Sequence, residues 1–234
     1  MDNRGAADGN DDEAVPATSR EQDAVRLLLL IDGACEPLAA ADAQDAALAG
    51  AVGVVRGQVL LQKLDFWLRN PDYLANELLD AYEDRREQHL LDKAALILTS
   101  EEPEVRRYPM LRHYFGAYEP LDDALAVLRS AGLLVRRRRG TIGHVRQHDY
   151  YLLALGRQVA REIVSTAPEF GYYVSRVELV LELAGERGGS ELKKRQYLQR
   201  EYATAPLGTR IGAVTGKARA RLAQLQLDSE PGRG

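Results

Sequence analysis

Residues 132–156 read GLLVRRRRGTIGHVRQHDYYLLALG, and from Leu133 to His148 they hold five arginines and no acidic side chain. Four stand in a row, Arg136, Arg137, Arg138 and Arg139, and Arg146 follows with His144 near the same tip. A guanidinium keeps its charge at any physiological pH and forks onto carboxylate or phosphate oxygens. On a strand, Arg136 and Arg138 point to one face and Arg137 and Arg139 to the other. One row could track a phosphate backbone, releasing counterions and giving a steep salt dependence. The same row could dock on an acidic protein. It could also be a solvated strand edge whose charge discourages edge-to-edge pairing. All three uses stay open at this point. A second basic group, Lys193, Lys194 and Arg195, leads a run that continues through Arg200, Arg210, Lys217, Arg219 and Arg221 and adds to the case for a polyanion.

Other reactive residue types point to less. His144 and His148 are four apart, but on a strand that places them about 13 Å from each other, and no Cys or Asp cluster completes a metal site. Cys35 is the only cysteine, with no local His or basic partner, and reads as a buried or idle thiol. Asp65, inside KLDFWL, has Arg69 at i+4, so a surface ion pair is the default reading. A buried acid organising a pair of helices is the alternative. Glu178 and Glu182 share a helix face without a pocket motif and read as solvated. Tyr108, Tyr114, Phe115 and Tyr118 could stack on single-stranded bases, although their spacing around Leu111 suits a core. No phosphate-binding glycine loop, GxSxG or zinc signature occurs. The expectation is a protein without cofactor, metal or catalytic activity.

The elements that must carry the arginines follow from periodicity. EPLDDALAVLRSAG forms a helix with Leu121, Ala124, Leu125 and Leu128 on its buried stripe. Glu119, Asp122 and Asp123 favour its N-terminal end, and Gly132 stops it. LLVRRRR is a strand, GTIG a turn, HDYYLLAL the returning strand and GRQVAREIVSTA a helix. Upstream, residues 57–69 place Leu60, Leu61, Leu64, Trp67 and Leu68 on one helix face. Pro71 starts another helix, with Leu74, Leu78, Leu79 and Tyr82 inward, and a further helix ends before Pro103. A short helix or strand covers Asp23–Ile31, and residues 39–50 favour helix by propensity.

This order of helices and hairpin is that of a winged helix-turn-helix domain. LQKLDFW, followed by FGAYEPLDDALAVLRSAGLL and YYLLALG, resembles prokaryotic winged-helix proteins over about residues 57–165 of the sequence. There Phe115-Gly116-Ala117-Tyr118 stands for the turn before the recognition helix, with Ala117 in place of the family's Pro. Leu133 begins the wing and Leu155-Gly156 the closing helix, with the usual Thr missing. KLDFWLRNPDYLA also looks like segments in the middle components of ABC-three-component defence systems, small winged-helix proteins encoded beside an ABC-type ATPase. The resemblance implies a fold more firmly than a function. If it holds, the recognition helix would present Leu121, Asp122 and Asp123 to the groove, with Glu119 before them. Carboxylates there repel phosphates, and the arginine or asparagine that usually reads bases is lacking.

The whole chain has 234 residues, 45% of them apolar and 28% charged, with a net charge of −4. Residues 1–50 hold three basic and eleven acidic residues, and residues 187–221 nine basic and two acidic. Such asymmetry suggests a polyanionic partner or screening of one end by the other. The polar, acidic start is unlike a targeting signal, the aliphatic run Leu27–Ile31 is too short to span a bilayer, and a single cysteine suits a reducing cytoplasm. The expected architecture is mostly α (α+β), a winged helix-turn-helix with one β-hairpin wing and flanking helices. Its expected divisions are an acidic disordered tail over 1–22, a helical and winged-helix domain over 23–171, a helical extension over 172–205 and a basic flexible tail over 206–234 with a candidate helix over Lys217–Leu227. The helix of residues 172–185 carries Val174, Val177, Leu179, Val180, Leu181 and Leu183, a wider apolar set than one buried stripe needs, and is expected to be an assembly surface. The expected role is a non-enzymatic, cytoplasmic interaction component of a multi-protein bacterial system, such as anti-phage defence with an ABC-type ATPase, binding a protein partner or its own copies and no membrane. The alternative is a DNA-binding transcriptional regulator that contacts the duplex backbone through a basic wing.

Overall fold

The computed structural model describes residues 19–102, 110–113, 116–118, 121–141, 144–185 and 187–229. It is mostly helical with a small three-stranded antiparallel sheet. Helix α1 (Arg20–Ala34) opens on a capping box in which Ser19 and Gln22 bond each other's backbone N–H. All five residues from Leu27 to Ile31 are buried, so this stretch of the helix is enclosed on every side and lies at the centre. It packs on β1 (Ala51–Arg56), α3 (Gln58–Arg69), α6 (Asp122–Ser130), α7 (Ala154–Thr166) and α8 (Gly171–Ala184). Between α1 and β1 the chain forms a strap with one turn of helix, α2 (Ala40–Ala43), and a 3-10 turn (Ala46–Leu48). The strap is largely exposed, and Asp42 and Leu48 are its buried side chains.

The sheet order is β1-β5-β4, with β4 (Leu134–Thr141) and β5 (His144–Leu153) as the hairpin. Strand β1 runs between Gly50 and Gly57, both at positive φ, and its Val52, Val54 and Val55 favour a pleated surface. The propensity reading of residues 39–50 as helix is cut to short turns, and the strand directly after it escaped that reading altogether. A separate two-stranded ribbon pairs β2 (Leu111–His113) with β3 (Gly116–Tyr118). Gly116, Ala117 and Tyr118, expected as a turn, therefore form a strand. The remaining helices are α4 (Pro71–Arg85), α5 (Gln88–Thr99), α9 (Gly189–Leu198), α10 (Arg200–Thr204) and α11 (Thr215–Ser229).

The C-terminal segments differ from the expected extension and flexible tail. Val177, Leu179, Val180 and Leu183 of α8 are buried against α1, α3 and α4. Four of the six apolar residues expected to form an assembly surface are thus spent on three neighbours, while Leu181 is half-buried and Val174 exposed. Helix α11 buries Ala218, Leu222 and Leu225 on α4 and α5. Its start is pinned at Asp72, whose carboxylate accepts from Val214 N–H (2.8 Å) and the Thr215 hydroxyl (3.4 Å). Of the tail expected over 1–22, residues 19–22 instead form the cap and first turn of α1, and residues 1–18, like 230–234 of the other tail, lie outside the described residues. No helix among the described residues is long and apolar enough to cross a membrane.

Candidate interaction surface at the sheet edge

The four arginines lie on β4, and alternation sends them to two faces as expected, but carboxylates of the same chain meet them on both. On one face Arg136 donates to Asp122 at the start of α6 (2.6 Å). The helix-start acid that was expected to repel a phosphate backbone is thus paired to the hairpin. On the other face Arg137 donates to Asp45 and Arg139 to Asp42, both in the strap. Arg139 also donates to Asp149 (3.2 Å) and to the Tyr151 hydroxyl (2.7 Å).

Asp42 is the hub. Its carboxylate accepts from Arg139, from Arg56 Nη2 (2.7 Å) and from the Tyr151 hydroxyl (3.0 Å). Arg56, at the end of β1, also reaches Glu36 (2.6 Å) and lies 3.5 Å from Asp149. The hydrogen bond from Arg56, aided by those from Tyr151 and Arg139, holds Asp42 below the usual carboxylate range. Burial and the neighbouring Asp42 push the Tyr151 hydroxyl up. Below the hub, Leu48, Val54 and Tyr151 form a small apolar cluster with Leu38, Ala51 and Val135 against it.

Arg138 differs from the other three. It is exposed and has no carboxylate partner among the described residues. It stands across from His148 in the hairpin. Partial burial, then Arg136 and Arg138, hold the His148 imidazole below its ordinary value. Arg146 lies in β5, but its side chain and that of His144 are outside the described residues.

The second basic group is not part of this surface. Helix α9, which carries Lys193, Lys194 and Arg195, packs on α3, whereas β4 packs on β5 and α6. The approach is close: a Cβ on Gly189 would come within 2.5 Å of the Leu60 backbone nitrogen. Arg195 pairs with the buried Glu77, which Gln199 also bonds (2.7 Å). Lys193 lies over the Tyr197 ring. Lys194 alone among the three is given no partner among the described residues.

Asp65 corrects the surface-pair reading. It is fully buried and accepts from Arg26 Nε of α1 (2.8 Å), while Arg69 Nη1 stands 4.0 Å away. Cys35 is half-buried against Arg157 Nη2 (3.0 Å), and burial raises its thiol above the ordinary value. Glu182 meets His89 (2.6 Å) rather than Glu178. Tyr108, Tyr114, Phe115 and Tyr118 lie outside the residues with described side chains. Among the described residues no group of three His, Cys, Asp or Glu is placed to hold a metal ion.

Two of the arginine partners, Asp42 and Asp45, were missed by sequence reasoning. Asp42 and Asp45 look like solvated acids in an alanine-rich segment. The available signal was AVGVVR between two glycines: read as a strand, it would have brought Arg56 and the preceding strap to the hairpin. No family model, curated protein or solved structure matches the chain.

Proposed function

We propose that this chain is a non-enzymatic winged-helix component that works by contacting other proteins of a multi-protein bacterial system. The observation that carries this reading is the internal neutralisation of the wing. Arg136, Arg137 and Arg139 each face a carboxylate of their own chain, so a phosphate backbone would meet charges already balanced there. The winged-helix assignment is supported by the order α1, β1, α3, α6, β4, β5 and by the sheet order β1-β5-β4. In this scheme residues 71–120 are an insertion between the second and third helices. The resemblance of KLDFWLRNPDYLA carries the proposal one step further, to a defence system with an ABC-type ATPase partner.

The rival reading, a DNA-binding regulator, retains Arg138 and Lys194 as free cations. A titration of random duplex DNA over about 50–200 mM salt separates the two. The expected result is negligible affinity, the same for the chain and for the variant with Arg136, Arg137, Arg138 and Arg139 all changed to Ala, with circular dichroism checking the fold. Strong binding whose salt slope drops by about 3.6 in that variant would overturn the proposal in favour of DNA.

A further inference from the structure

We infer that the free edge of β4 takes an acidic, extended segment of a partner protein as an added strand. This rests on the protein-contact reading above and names the chemistry of one such contact. The Leu153 N–H donates to the Leu133 carbonyl (3.0 Å), which fixes the phase of the hairpin ladder. Two residues on, and again after that, Val135, Arg137 and Arg139 lie across from Tyr151, Asp149 and Gln147 and exchange bonds with them. The backbone N–H and C=O groups of Leu134, Arg136 and Arg138 therefore point away from β5. Among the described residues no strand lies beyond β4, and no backbone bond outside the ladders uses these groups. The opposite edge differs: Val54 of β1 is bridged by Glu36 in both directions (2.9 Å each). Along β4 runs a half-open concavity of about 530 Å³, lined by Asp45, Leu48 and the four arginines.

Charge selects the occupant. A second copy of β4 would set arginine against arginine across the new ladder, which is destabilising. A strand with Asp or Glu at alternate positions sets carboxylates against Arg136 and Arg138 on one face. Both have donors to spare, because a guanidinium carries five N–H groups. Arg136 gives one N–H to Asp122, and Arg138 gives none to a carboxylate among the described residues. A nucleic-acid backbone could meet these cations, but it has no N–H for the outward carbonyls. A peptide strand serves both the ladder and the charges.

The test is fluorescence anisotropy of the whole chain with a labelled seven-residue peptide of alternating Glu and Thr. A Lys–Thr peptide and a random DNA duplex are the comparison arms. The expected result is saturable binding of the Glu–Thr peptide alone. Arg138→Pro removes one outward N–H and leaves the bonds to β5 in place, so it should weaken binding about tenfold. Unchanged affinity in a folded Arg138→Pro variant, equal binding of the Lys–Thr peptide, or displacement of the peptide by duplex DNA would each overturn the site. Where Arg138→Pro fails to fold, Arg136→Glu with Arg138→Glu should switch the preference to the Lys–Thr peptide, and no switch overturns it equally. A chain that ignores both peptides and still shows no DNA affinity loses this edge site while the wider protein-contact reading stands.

Discussion

Arg26 and Asp65 form a charge pair from which water is excluded, and Asp23 also accepts from Arg26. Removing one partner leaves the other charge buried, whereas replacing both with apolar groups removes the desolvation cost. Asp65→Ala should therefore lower stability by about 3 kcal/mol in urea unfolding, with the remaining Arg26–Asp23 pair setting the low end of the range. The double variant Arg26→Met, Asp65→Leu should recover most of that loss. A double variant no more stable than the single one would mean that the pair holds α1 on α3 through its geometry. Sequence spacing named Arg69 as the partner of Asp65 because i+4 contacts are visible along one helix. The stronger partner sits 39 residues away on another helix, and no local rule reaches it. The same limit hid Asp42 and Asp45, which find Arg139 and Arg137 more than 90 residues downstream.

Elements with a strong apolar period were readable at the sequence level. The face of α3, the α6 stripe and the β4–β5 hairpin follow from side-chain spacing and glycine stops. Gly156 shows why one position in YYLLALG has to be small: a Cβ there would stand 2.4 Å from the Leu133 carbonyl oxygen. Helix α11 was harder to read. Its stripe of Ala218, Leu222 and Leu225 is thin, and much of its attachment is polar. Asp72 holds its start, and Arg221 reaches Asn76, Asp80 and Glu83 along α4. Asp72→Ala should free this helix before the rest of the fold gives way. In limited proteolysis the variant should be cut within residues 206–216 while residues 19–102 stay intact. Cleavage no faster than in the parent chain would show that apolar contact alone retains the helix.

At the scale of the whole molecule, two acids of the N-terminal fifty residues, Asp42 and Asp45, meet two guanidiniums of the basic hairpin, and Asp122 meets a third. The central claim is that these pairs keep the hairpin from acting as a cation stripe. Asp122 is exposed and Asp45 partly so, so changing both to Asn frees two arginines while leaving the buried Asp42 hub in place. The most direct measurement is the affinity of this double variant for random duplex DNA as a function of salt, beside the parent chain. The account predicts little binding by the parent. It predicts salt-dependent binding by the variant, with the slope of log affinity against log salt steeper by about 2. A parent chain that already binds with the steep slope of four free arginines, and a variant that adds nothing to it, would contradict the account.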